Sequence, residues 1–365
     1  MQQAAARRLG NIIATVQPHG SPQDSLVPTA CAAPKRQMSF AEMEGSAIAR
    51  ASPVKVCLFC MGERGVPLAA MPSVIETFKK ASLEVISVSG LGELPVDTNV
   101  LVTTGAAVGP EVLDKVPKCS LVAVAFTGYD HVDVEECQAR GITVINVPGY
   151  ATDSTAELAL SLVLAHMHNL RACHDTIAKG SWEPPQQDHL DSKTVGIVGT
   201  GSLGVRCAEI FKAMKVKSII GYDQVEQPAF INAGGAYTQS LAEVFLDAQI
   251  IILCVPLTEQ TRGMISARLL ALLRPDCILV NVSRGDVVDE VALAELLKER
   301  RFRAALDVFS REPLAPNDPL LSLPSDVLLM TPHVGYQSIT SLRARFDATV
   351  KNILAFLAGH AINVV

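Results

Sequence analysis

Arg284, Glu312 and His333 are the residues of this chain whose types and positions are best suited to chemistry. Each stands just past an apolar stretch that reads as a strand. Arg284 follows CILVNVS and precedes Gly285, Glu312 follows RAALDVFSR, and His333 follows VLLMTP and precedes Val334-Gly335. Arginine offers a planar, permanently charged fork that can grip a carboxylate and polarise the carbonyl beside it. Histidine can carry a proton near neutral pH, and an adjacent carboxylate favours its imidazolium form. A cation for the substrate, a proton donor for a carbonyl oxygen and an acid that keeps the donor charged are together what hydride transfer to a 2-keto acid asks of a protein. Singly, each residue has a plainer role as a turn arginine, a loop acid before Pro313 or a boundary histidine after Pro332. Their shared placement beyond successive strands argues for a joint one.

A hydride needs a carrier, and the stretch Lys193 to Gly204, KTVGIVGTGSLG, is where one would bind. An apolar strand runs there into glycines spaced G-x-G-x-x-G and then into a helix. Gly199 permits the tight turn, Gly201 lets a pyrophosphate approach the backbone, and Gly204 lets helix and strand pack closely. The free N–H groups at the helix start face the phosphates. A second apolar strand, Ser218 to Tyr222, ends at Asp223, nineteen residues past Gly204. An acid at that point accepts hydrogen bonds from the ribose hydroxyls of NAD and repels the extra phosphate of NADP, the more so with Gln224 following. The expected cofactor is therefore NAD(H).

The elements that must position these residues alternate between strand and helix. Downstream of the glycine turn, Ser218 to Asp223, Ile250 to Val255, Cys277 to Val282, Arg303 to Phe309 and Val327 to Thr331 read as strands. Helices such as Leu241 to Leu246 and Val291 to Glu299, the latter capped by Asp289, lie between them. The implied fold is α/β, a Rossmann-type doubly wound parallel sheet with ligands at the carboxyl ends of its strands. Upstream, Val54 to Cys60, Leu83 to Val88, Val100 to Thr103, Leu121 to Phe126 and Ile142 to Val147, with a helix over Pro72 to Lys80, give a smaller, flavodoxin-like parallel sheet. Ser154-x-x-Glu157 reads as a capping box opening one long apolar helix that includes Leu158, Leu162 and Leu170. The amphipathic stretch Ile339 to Ala358 is expected to return to the first lobe. The domains are thus residues 54–150 with 333–365 for the substrate, residues 151–332 for NAD, and an extension over residues 1–53.

Composition agrees with a globular enzyme. The 365 residues are 49% hydrophobic and 19% charged, and the net charge of −6 gives no pull toward nucleic acid or an anionic membrane. Runs such as Ile250 to Leu257 are too short to span a bilayer. The nine cysteines are scattered through strands and helices, as buried thiols of a reducing compartment would be. Cys57 and Cys60 spell C-x-x-C, but within one strand they point to opposite faces. His166 and His168 would sit about 200° apart on a helix, and with His174 they read as packed or half-exposed side chains, so no metal is expected. Residues 1–50 are rich in Ala, Gln, Ser and Pro, carry Arg7, Arg8, Lys35, Arg36 and Arg50, and show no acid before Asp24. They read as an organelle transit peptide, for a mitochondrion or plastid, or as a disordered tail or an upstream start on a cytoplasmic protein with Met38 the true one.

The stretches VGIVGTGSLG, CVPLTEQTRGMI, LVNVSRGDVVDE, ALDVFSREPL and TPHVG resemble the D-isomer-specific 2-hydroxyacid dehydrogenases. The likeness runs upstream through FTGYDHVDVEECQARGITVINVPGYATDSTAE and covers about Val54 to the C-terminus. It implies a catalytic arginine at Arg284, its acid at Glu312 and the general acid/base at His333. It further implies cofactor contacts at Gly199, Gly201, Ser202, Leu203 and Gly204 with the pyrophosphate, Asp223 with the ribose, Pro256 and Thr261 in the loop after a strand, and Asp307 beside the nicotinamide amide. The substrate carboxylate would be held by backbone N–H groups around Thr104, Gly105 and Ala106. TGYDHVD and GYATDSTAE look most like the glycerate dehydrogenase and hydroxypyruvate or glyoxylate reductase branch, which implies an NADH-dependent homodimer with a small 2-keto acid as substrate. The rival is a dinucleotide-sensing binding protein like the corepressors built on the same fold.

Overall fold

The computed structural model describes residues 54–59, 72–81 and 83–365. The readings of the N-terminal extension and of Cys60 lie outside them. Among the described residues, β1 (Val54–Phe59), α1 (Pro72–Lys80), β2 (Leu83–Val88), β3 (Val100–Thr103), α2 (Pro110–Leu113), β4 (Leu121–Val124), α3 (Val134–Ala139) and β5 (Thr143–Ile145) form the first lobe. Its five strands are ordered β2-β1-β3-β4-β5, all parallel, the flavodoxin-like order. Short runs of Val, Leu and Ile buried on both faces make such strands: every residue of β3 and β4 is buried.

α4 (Thr152–Met167) and α5 (Leu170–Ala178) lead to the second lobe. There β6 (Thr194–Val198), α6 (Ser202–Ala213), β7 (Ser218–Tyr222), α7 (Pro228–Asn232), β8 (Gly235–Tyr237), α8 (Leu241–Asp247), β9 (Ile250–Leu253), α9 (Ala267–Leu270), β10 (Ile278–Asn281), α10 (Glu290–Lys298), β11 (Arg303–Leu306) and β12 (Leu328–Met330) follow in turn. The seven strands are ordered β12-β11-β10-β9-β6-β7-β8, the doubly wound Rossmann arrangement, and all pairs are parallel. β8, three residues at the sheet edge, is too short to show as a periodic run and escapes the sequence reading. Asp289 caps α10 as expected, its carboxylate accepting from the Ala292 N–H.

α11 (Ile339–Leu357), capped by Ser338, packs against α1 and β4 of the first lobe. The chain end follows it: Asn352 donates to the Asn146 carbonyl at 2.8 Å, and Val364 bridges Ile145 antiparallel.

Two expectations about α4 are corrected. The helix starts at Thr152 with Ala151 as N-cap, so Ser154 lies inside it and makes no capping box. The Ser154 hydroxyl donates instead to the carbonyl of Gly335, and Thr155 does so at 3.2 Å, which ties α4 to the segment entering α11. The helix also ends at Met167, because Asn169 turns left-handed with φ 47°, and Leu170 belongs to α5. The three histidines are therefore divided. His166 is buried with its Nε2 at 2.7 Å from the Ala304 carbonyl, and burial pushes its pKa down to about 4. His168 caps α4, and His174 is on the exposed side of α5. Cys57 is buried in β1.

Four strands of the second lobe end one to three residues before the ranges expected from sequence. β9 pairs only to Leu253, β10 to Asn281, β11 to Leu306 and β12 to Met330. The overrun residues leave the sheet and become the loops of the site.

Candidate active site

The glycine turn is built as its spacing requires. Gly199 has φ 91°, and a Cβ there would lie 2.8 Å from the backbone of Cys254 and Val255 on the neighbouring strand. A Cβ on Gly204 would sit 2.0 Å from the Gly199 carbonyl oxygen, so α6 packs on the turn only because that atom is missing. Gly201 differs: nothing lies within 4 Å of a Cβ added there, and as N-cap of α6 it supplies no side-chain cap. Ser202 and Leu203 form the first turn behind it. Open space before uncapped helix N–H groups is what a pyrophosphate needs.

Asp223, just past β7, is anchored to that turn. Its Oδ2 accepts from the backbone N–H of Thr200 at 2.6 Å and from the Thr200 hydroxyl at 3.1 Å. Its Oδ1 accepts from the Gln224 N–H at 2.7 Å. The Tyr237 hydroxyl on β8 bonds Thr200 Oγ1 at 2.6 Å and accepts from the Gln227 N–H at 2.7 Å, pinning the segment after Asp223. Thr200 and Tyr237 escape the sequence reading, the second because β8 does. The residues present thus fit a dinucleotide, with a carboxylate held where a ribose would follow the phosphates.

Beyond β9, Thr261 donates its hydroxyl to the Pro256 carbonyl at 2.6 Å and accepts from the Thr258 N–H at 2.8 Å. The two expected loop residues are thereby bonded to each other. Gly263 N–H donates to the Asp286 carbonyl at 2.8 Å, which couples this loop to the one after β10.

Arg284, Glu312 and His333 follow β10, β11 and β12, three adjacent parallel strands, so their loops are neighbours on one edge of the sheet. Asn281 shapes the first loop by donating to the Arg284 carbonyl at 2.9 Å and accepting from the Ser283 N–H at 3.0 Å. A Cβ on Gly285 would lie 1.9 Å from the Phe309 carbonyl carbon, so the β10 and β11 loops touch backbone to backbone. Glu312 Oε1 accepts from the Phe309 N–H at 2.9 Å, and its Oε2 meets His333 Nδ1 at 2.8 Å. A carboxylate can only accept, so Nδ1 carries the hydrogen and Nε2 is the nitrogen left to exchange a proton.

His333 sits at φ 52°, a left-handed backbone uncommon outside glycine. Asp307 holds it there. This carboxylate, 2% exposed, accepts from Thr331 Oγ1 at 2.6 Å, the Val334 N–H at 2.8 Å and the Gly335 N–H at 2.9 Å. The structure thus places Asp307 as the clasp of the histidine turn, a position its spacing alone did not indicate.

The first lobe brings the remaining candidates. Past β3, Thr104 is nearly buried, Gly105 is exposed with φ 106°, and the Ala106 carbonyl accepts from Thr103 Oγ1 at 2.9 Å. Asp130, after β4, pairs with Arg284 Nε at 3.1 Å. Around the two crossings between lobes gather Phe126, Tyr150, Tyr336, Arg345 and Phe346. The Arg345 guanidinium, wholly buried, lies 4.7 Å from the ring centre of Phe126 and 4.6 Å from that of Phe346. Burial pushes the Tyr150 phenol up despite both Arg345 and Arg284 nearby, so it stays protonated. Tyr336 presents to the His333 ring edge-on at 5.7 Å. Their sequence signals are ordinary aromatic residues and one arginine in a helix. Among the described residues no cluster of three His, Cys, Asp or Glu is placed to hold a metal.

Known proteins match this chain on both lobes. Residues 160–335 match the family model described as "D-isomer specific 2-hydroxyacid dehydrogenase, NAD binding domain". A glyoxylate reductase of Pyrococcus furiosus is 35% identical over 274 residues, which is 72% of this chain and 80% of that protein. A hydroxypyruvate reductase of Blautia hydrogenotrophica is 32% identical over 278 residues, 74% of this chain and 85% of its own. Among solved structures, the D-lactate dehydrogenase of Aquifex aeolicus with NAD and lactic acid superposes with a TM-score of 0.75 at 28% identity, over 83% of this chain and 96% of that one. With the glycine turn, both parallel sheets and this coverage in hand, the chain belongs to the D-isomer-specific 2-hydroxyacid dehydrogenase family, whose members are NAD(P)-dependent oxidoreductases.

Proposed function

We propose that this chain is an NADH-dependent reductase of small 2-keto acids, with glyoxylate and hydroxypyruvate as its preferred substrates and D-2-hydroxy acids as products. The observation that carries the reading is the 2.8 Å pair of His333 Nδ1 with Glu312, on loops beside that of Arg284 and on the same sheet as the glycine turn. The names of the relatives support the enzyme over a dinucleotide-sensing corepressor.

The nicotinamide cofactor, when bound, supplies the hydride. The chain's own residues do the rest. The N–H groups at the start of α6 take the pyrophosphate, and Asp223 takes the ribose. Arg284 grips the substrate carboxylate and polarises its ketone, with N–H groups of Thr104, Gly105 and Ala106 on the other side. His333 Nε2 gives a proton to the carbonyl oxygen while Glu312 stabilises the ring's charge and orientation. Asp307 fixes the turn so that the imidazole is held before substrate arrives. In this scheme residues 54–150 with 333–365 receive the substrate and residues 151–332 the cofactor. A homodimer built partly on α4 is supported by the exposed apolar residues Leu170, Ile177 and Trp182 on and after α5.

The test is steady-state reduction of glyoxylate, hydroxypyruvate, pyruvate and phenylpyruvate with NADH and with NADPH. Highest kcat/KM for the two smallest substrates with NADH is expected, and failure to oxidise NADH with all four would overturn the reading. Asp223→Ser should lower the preference for NADH over NADPH by about 10- to 100-fold, the worth of a charged hydrogen bond to the ribose. An unmoved preference would show that the carboxylate serves only Thr200 and the turn.

A further inference from the structure

Asp130 lies on the lobe opposite Arg284, yet it is the acid that holds it. The guanidinium is fixed from both sides. Nε donates to Asp130 Oδ1 at 3.1 Å, and NH1 donates to the Ser283 carbonyl at 2.8 Å. NH2 lies against Gly128, where an added Cβ would stand 1.6 Å from it and 2.9 Å from Asp130 Oδ1. Arginine has five N–H donors, so these two bonds leave three on the NH1 and NH2 edge for a substrate. Neither member of the pair is buried, with side-chain exposures of 30% and 34%, so solvent and ligand both reach it.

The loop carrying Asp130 is also bound to the wall expected to receive the substrate. Val108 and Val132 form a parallel bridge, the Val108 N–H donates to the His131 carbonyl at 2.9 Å, and the Asp133 N–H donates to the Val108 carbonyl at 2.8 Å. Thr104 to Ala106 lead directly into Val108. One segment with a negative charge is therefore bonded both to the guanidinium and to the continuation of that loop.

Resting on the proposed reductase activity, we infer that Asp130 is a positioning and selectivity residue: it sets the plane of the Arg284 guanidinium, and its charge admits 2-keto monoacids while turning away 2-keto acids with a second anionic group. A carboxylate within reach of Asp130 finds repulsion that offsets the attraction of Arg284, whereas a neutral hydrogen or hydroxymethyl group does not.

Two variants separate position from charge. Asp130→Asn keeps an oxygen that accepts from Nε and loses the charge, while Asp130→Ala loses both. For Asp130→Ala, kcat with glyoxylate should fall about tenfold or more, as misplacement of a reacting group does, with NADH affinity unchanged. Asp130→Asn should recover kcat to within about threefold of the parent and raise the ratio of kcat/KM for 2-oxoglutarate over glyoxylate by about tenfold. Binding of oxamate, an unreactive monoanion, to the NADH complex should weaken in Asp130→Ala and recover in Asp130→Asn. Turnover in Asp130→Ala equal to or above that of the parent would show the carboxylate competing with substrate, and an unmoved ratio in Asp130→Asn would remove the charge filter; either overturns the inference. A parent inactive on every keto acid defeats the reductase reading by itself, and Asp130 is then judged on oxamate affinity alone.

Discussion

Replacing His333 by alanine lowers kcat for hydroxypyruvate by about 10²- to 10⁴-fold, the range that a positioned general acid contributes. NADH affinity should stay within about twofold, because the imidazole stands after β12 and the glycine turn after β6, with three strands between them in the sheet. The size of the effect follows from how completely the ring is specified. Its backbone is held left-handed by three donors to Asp307, its Nδ1 hydrogen is fixed on Glu312, and Tyr336 closes one side. Only Nε2 is left to act. Glu312→Gln tests the same assignment from the other partner: an amide can still bond Nδ1 but cannot stabilise the imidazolium, so kcat should fall while KM holds. Rates of His333→Ala within a few-fold of the parent on every substrate would remove the histidine from the mechanism.

Arg284→Ala should cost about 10²- to 10³-fold in kcat/KM, the loss seen when a preorganised donor to a developing charge is removed. Arg284→Lys is the sharper variant. Lysine keeps the charge, but a single ammonium cannot bond Asp130 and the Ser283 carbonyl and still present a two-pronged edge to a carboxylate. It should remain well below the parent, with most of the deficit in KM and a smaller part in kcat. Kinetics of Arg284→Lys matching the parent would mean that charge alone suffices and that the anchoring of the fork has no catalytic consequence.

Legibility in the sequence tracked whether a constraint was local. Gly199 and Gly204 are needed because strand, turn and helix meet within twelve residues, and Asp223 because β7 brings it beside Thr200; that part of the site could be read from spacing. Arg284, Glu312 and His333 were legible as polar residues past apolar runs, since parallel strands put their carboxyl ends on one edge. Contacts between lobes left no such trace. Asp130 and Arg284 are 154 residues apart, and only the folded chain sets one against the other. The capping box at Ser154 failed for the same reason, because Gly335, 181 residues on, takes the hydroxyl that a local rule assigned to the helix start. Asn169 shows the opposite case, a short polar residue in a left-handed turn interrupting apolar periodicity that would otherwise continue into Leu170. Asp307 could be placed at a strand end from sequence, whereas its three donors come from a turn whose path the sequence does not describe.

The most direct test of the central claim is a single turnover of hydroxypyruvate with NADH deuterated at the transferable position, followed by isotopic and chiral analysis of the glycerate. The account predicts D-glycerate with one deuterium at C2 from the parent protein, and loss of that product in His333→Ala despite full loading with the labelled cofactor. L-glycerate, product without deuterium, or equal yield from the two proteins would contradict it.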